Sequence, residues 1–129
     1  MSEPRLLTRA ELAAKVKDWQ QARISSADLH AWASELYHPD KVRYEDWDRY
    51  EGDEESVSAT VLQDLDLLNM NLAQPEDALI YLAFLATPRG QFGDGYRRYR
   101  ERLKAIDYAT RRKKLAADPL FAPFCKGSA

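Results

Sequence analysis

Apolar positions recur along this chain at helical rather than strand spacing. Over residues 8–21, Leu12, Val16 and Trp19 step at i, i+4 and i+7, one stripe of a helix. Thr8 and Glu11 form a capping-box pattern at its start, each side chain placed to satisfy a free backbone N–H. Ile24 stands at the entrance to the next element. There Ser25 or Ser26 opens a second helix, with Asp28 near the positive end of its dipole. Leu29, Trp32, Ala33, Leu36 and Tyr37 make its apolar face. Pro39 ends it, because a proline pushes the preceding residue out of the helical region. The short link between the two helices predicts an antiparallel helical hairpin.

Tyr44, Trp47 and Tyr50, three residues apart, predict a short helix over residues 42–50 that Gly52 breaks. Residues 53–69 predict a longer one, with Val57, Val61, Leu65 and Leu68 as its stripe and Leu62 and Leu72 beside it. Pro75 suits the first turn of a helix over residues 75–86. That segment is apolar on almost every side, which predicts a central helix surrounded by others. A short apolar run also fits a buried strand; the Pro-Glu-Asp start and three alanines favour helix. Residues 87–95, with Pro88, Gly90, Gly93 and Gly95, read as a turn region. Asp94 then caps a long basic helix over residues 96–117, in which Tyr96, Tyr99, Leu103 and Ile106 repeat at helical spacing. No segment alternates cleanly enough to predict a strand. The expected fold is all-α: one domain over residues 1–129, a bundle of five or six helices with extended termini at 1–7 and 118–129.

Composition narrows the function classes. At 129 residues, 45% hydrophobic and 31% charged, the chain has a globular balance and the length to bury a core. Its one cysteine, Cys125, excludes an internal disulfide framework and a Cys-rich zinc module. The longest near-apolar run, residues 78–87, is about half of what a bilayer span needs. The charged amphipathic start is unlike a secretory signal. The expectation is a cytoplasmic protein with no membrane partner.

The net charge of −2 hides a strong polarity. Residues 28–77 hold fourteen acids and three bases, whereas residues 96–114 hold nine bases and two acids. Such asymmetry bears on partners or on self-assembly. The two segments either face each other within the fold or form two solvated faces. The acidic run gathers Glu45, Asp46, Asp48, Glu51, Asp53, Glu54 and Glu55 around a tight bend with Tyr44, Trp47 and Tyr50. Aromatics among carboxylates suit the gripping of a basic protein, since aromatics anchor and acids steer. The basic segment could meet nucleic-acid phosphates, but its tyrosines share a face with Leu103 and Ile106 and read as core. Nucleic acid is therefore not the expected partner.

Motifs that suggest chemistry fail on spacing. His38-Pro39-Asp40 matches the loop tripeptide of J-domain co-chaperones, yet residues 28–37 lack the basic helix face those domains present. The run from Asp46 to Val57 misses the ligands and the glycine of a calcium loop. His30 and His38 stand too far apart on one helix to share an ion. No Gly-Lys-Ser/Thr follows the glycines at 90–95. No catalytic residues, metal site or cofactor are expected.

The segments Trp19-Gln20-Gln21-Ala22-Arg23-Ile24-Ser25, Leu29-His30-Ala31-Trp32-Ala33, 61–68 and Asn71-Leu72-Ala73-Gln74-Pro75-Glu76-Asp77 fall in a recognisable order. Over residues 8–88 the chain resembles small bacterial immunity-type proteins that accompany polymorphic or contact-dependent toxins. The resemblance implies a non-catalytic inhibitor whose acidic face occludes a basic toxin domain. It implies a contact patch of Asp46, Trp47, Asp48, Tyr50, Glu51, Asp53 and Glu54. The basic segment and tail from Phe92 onward depart from the pattern. The alternatives are a self-associating helical domain, in which the basic partner is the protein's own copy, and a nucleic-acid-binding regulator that uses the basic C-terminal helix.

Overall fold

In the computed structural model, which describes residues 3–125, the chain forms seven α-helices and two small sheets. The all-α expectation is thereby overturned. Strand β1 (Arg5–Leu7) leads into α1 (Arg9–Gln20), and α2 (Ser26–Leu36) follows. Strand β2 (Val42–Tyr44) returns parallel to β1, with Leu6 opposite Arg43. Strands β3 (Trp47–Tyr50) and β4 (Asp53–Ser56) form an antiparallel hairpin that runs directly into α3 (Val57–Asp66). One 3-10 turn (Pro75–Asp77) precedes α4 (Ala78–Leu85). Helices α5 (Phe92–Lys104), α6 (Tyr108–Leu115) and α7 (Ala122–Cys125) complete the fold. Among the described residues no helix is long and apolar enough to cross a membrane.

The first three helices follow their stripes. Thr8 caps α1 by accepting from the Glu11 amide, but Glu11 itself pairs with Arg5 rather than closing the box. Ser25 and Asp28 form a complete capping box on α2. Leu12, Val16 and Trp19 of α1 meet Leu29 and Ala33 of α2 and Val57, Val61, Leu62 and Leu65 of α3 in one core.

The region after α2 departs from expectation. Residues 42–50 contain two strands instead of a helix, and α3 begins at Val57 instead of 53. The reason is the two-residue turn. Glu51 and Gly52 both have positive φ, at 52° and 86°, the backbone that joins right-twisted strands. Helix 75–86 divides into the 3-10 turn and α4. It packs against α1, α3 and α5 but is not enclosed, since Leu79 is 66% exposed.

The long basic helix over 96–117 is two helices. Asp107 accepts from the Thr110 amide and hydroxyl and so begins α6 afresh after Ala105 ends α5. Helix α5 begins early, at Phe92, which draws Gly93 and Gly95 out of the expected turn region and into its first turns. Asp94 lies in that first turn and does not cap. Both glycines are required by close approach. A side chain at Gly93 would meet the Tyr50 ring at 2.9 Å, and one at Gly95 would overlap Thr87. Gly95→Ala is therefore expected to destabilise the protein by about 1–3 kcal/mol through overpacking, despite the better helix propensity of alanine. Urea unfolding checks this. Of the expected extended termini, residues 5–7 form β1 and residues 122–125 form α7; residues 1–2 and 126–129 lie outside the described residues.

Candidate functional site

The seven residues read as a contact patch all lie on or beside the β3–β4 hairpin, but they divide into two roles. Asp46, between β2 and β3, is 2% exposed and is not a surface acid. Its carboxylate accepts from Ser56 Oγ at 2.5 Å, Arg9 Nε at 2.8 Å, the Ser58 amide at 2.9 Å and Ser58 Oγ at 3.0 Å. Arg9 Nη1 continues to the carbonyls of Leu85 and Thr87. One buried carboxylate thus joins the start of α1, the foot of the hairpin, the start of α3 and the end of α4. Burial alone would push its pKa up. The hydrogen bonds from Ser56, Ser58 and Arg9 outweigh that and hold it below the usual carboxylate range.

Asp48 is also a tie, at a half-buried position. Its Oδ2 accepts from the Gly90 amide at 2.7 Å and the Phe92 amide at 3.2 Å. A carboxylate from β3 therefore completes the N-terminus of α5, where free N–H groups and the helix dipole favour negative charge. Tyr50, on the same face of β3, packs on Phe92 and Tyr96 of α5 with centroids 5.4 Å and 6.3 Å away. Asp46 is buried and presents no charge outward, whereas Asp48 is half-buried and ties the hairpin to α5 at the surface.

The remaining members do face solvent. Trp47 is 48% exposed and rests edge-on against Tyr44 at 6.0 Å. Glu51 at the turn, Asp53 and Glu54 are exposed, as is Glu45. None of these four carboxylates makes an ion pair among the described residues. Arg49 stands opposite Glu54 in the ladder, without pairing with it. The face of the hairpin that carries Trp47 also carries Arg49 and Glu54, Asp53 falls on the Tyr50 face and Glu51 at the turn, and the backbone is fixed from behind by Asp46, Asp48 and Tyr50.

Positive charge also stands near the hairpin, with Arg49 on β3 itself and Arg100 of α5 lining a pocket with Tyr50 and Glu55. Among the described residues, the exposed bases Arg98, Arg100, Arg102, Lys104, Lys113 and Lys114 make no ion pairs. Arg111 instead closes a bidentate bond on Asp77, at 2.6 Å and 3.1 Å, with Glu76 at 3.4 Å. The acidic and basic segments therefore meet at Arg111 but do not cancel each other generally.

A second cluster has no counterpart in the sequence pattern. Asp64 of α3, Asn71, Tyr81 of α4, Arg100 and Lys104 of α5, and Tyr108 of α6 line a cavity of about 230 Å³. Tyr99 donates its hydroxyl to Asp64. Burial raises the Asp64 carboxyl, against the opposing pull of that hydrogen bond and of Arg100. Burial also raises the Tyr81, Tyr99 and Tyr108 phenols, so all three stay protonated at neutral pH. Among the described residues no group of three or more His, Cys and acidic side chains is placed to hold a metal ion. His30 instead makes a 3.0 Å hydrogen bond with the Asp66 carbonyl, joining α2 to the end of α3. Comparison of the chain with protein-family models, with curated proteins and with solved structures finds no match.

Proposed function

We propose that the chain is a non-catalytic binding module whose β3–β4 hairpin docks on a basic protein, in the manner of an immunity-type inhibitor. The observation that carries this reading is Trp47, held about half exposed on a hairpin anchored from behind, with the carboxylates of Glu51, Asp53 and Glu54 exposed along the same hairpin. A large aromatic anchor on a preorganised backbone loses little conformational entropy on binding. Surrounding acids raise the encounter rate with a cationic surface. The turn supports the same reading. Glu51 occupies a left-handed conformation that asparagine or glycine would adopt at lower cost. The turn thus places a carboxylate at the tip of the hairpin. The resemblance read from residues 8–88 would make that partner a cationic toxin domain.

The unpaired bases on α5 and α6 favour one other reading, in which the hairpin docks on a second copy of the chain. Light scattering after size exclusion, at low and high salt, separates the two. The proposal expects a monomer at both. A dimer that dissociates in salt would mean that the charge polarity serves self-association, and would contradict it.

A further inference from the structure

The cavity between α3, α4, α5 and α6 lies apart from Trp47 and the outer acids and is independent of the protein-binding reading. Its charged groups are arranged as two open halves. Asp64 accepts from Tyr99 on Oδ2 alone, which leaves Oδ1 unused. Arg100 is close enough to lower the Asp64 carboxyl, yet no ion pair within 4 Å joins them among the described residues. Lys104, one turn along α5, lines the same wall and is also unpaired among the described residues. Asp77 is not available: its two oxygens are held by Arg111, and one also accepts from the Gln74 amide at 2.9 Å. Tyr81, only 1% exposed as a residue, lines the cavity, and its hydroxyl makes no hydrogen bond among the described residues. Ala73, Leu103 and the Tyr108 ring supply apolar wall between these groups.

We infer that this cavity binds a small zwitterion of amino-acid type, its cationic end on Asp64 and Tyr81 and its anionic end on Arg100 and Lys104. A molecule with both charges completes both half-pairs at once, which an anion or a cation alone does not. The volume agrees. About 230 Å³ holds roughly eight waters and falls below the range of larger organic ligands. Charge-assisted hydrogen bonds at each end supply orientation.

The test is an NMR titration of the intact chain with each of the twenty L-amino acids in turn. At least one is expected to shift the amide signals of Asn71, Tyr81 and Arg100 saturably. Its methyl ester and its N-acetyl derivative, each lacking one charge, are expected to bind about tenfold or more weakly. Arg100→Gln, at an exposed position, and Asp64→Asn, which keeps an acceptor for Tyr99, are expected to cause similar losses. Thermal unfolding confirms that each variant is folded. If Asp64→Asn fails to fold, Arg100→Gln and the two derivatives still decide. No saturable shift with any amino acid would overturn the inference. So would equal binding of a single-charge derivative, or unchanged binding to Arg100→Gln.

Discussion

Asp46→Ala is expected to destabilise the protein by about 3–5 kcal/mol, the usual result of removing one partner from a buried ion pair. The variant leaves the Arg9 guanidinium without its carboxylate and the Ser58 amide without its acceptor. The same change loosens four elements at once, because Asp46 is where α1, α3, α4 and the foot of the hairpin meet. The sign of the pH dependence follows from the lowered pKa of Asp46 in the fold. Its stabilisation is complete above the unfolded carboxyl pKa and is lost as pH falls through the lower, folded value. Asp64, raised by burial, acts in the opposite direction, but it does so in both proteins. Urea unfolding of wild type and variant as a function of pH therefore isolates Asp46. The gap between the two is expected to be widest near neutrality and to shrink in acid.

Trp47→Ala is expected to behave in the opposite way, with a large effect on binding and a small one on stability. The indole is about half in solvent and touches chiefly Tyr44, so folding should change by roughly 0.5–1 kcal/mol. As the apolar centre of a contact patch it should contribute about 2 kcal/mol or more, a loss of roughly thirtyfold in affinity for the partner. Lysine at Glu51, Asp53 and Glu54 together should act mainly on the association rate and remove most of its salt dependence. Kinetics by surface plasmon resonance at two ionic strengths separates these effects. A Trp47→Ala variant that binds as wild type would exclude the hairpin as the anchor.

The helices α1, α2 and α3 were readable because their apolar residues repeat at helical spacing and their caps are local. The hairpin was not. Tyr44, Trp47 and Tyr50 happen to stand three apart, and Asp53, Glu54 and Glu55 have poor strand propensity. The signal that could have found it was Glu51-Gly52, a two-residue turn between aromatic and acidic segments. Asp107 with Thr110 was likewise a cap within an otherwise continuous helical pattern. Gly93 and Gly95 read as turn residues because nothing local reveals that Tyr50 and Thr87 lie against them.

The site was legible as a region and not residue by residue. Asp46 and Asp48 look like their acidic neighbours. What distinguishes them are partners 37 and 44 positions away, Arg9 and Phe92, which only the fold brings near. The cavity around Asp64 and Arg100 draws on four helices and has no sequence signature at all.

The most direct test of the hairpin as a binding surface is photo-cross-linking in cells of the source organism, with a benzophenone amino acid placed at the exposed Arg49, beside Trp47 on the same face of β3. One dominant adduct with a basic protein is expected, lost when Glu51, Asp53 and Glu54 are replaced by lysine. No adduct, an adduct with a second copy of this chain, or one indifferent to those lysines would contradict it.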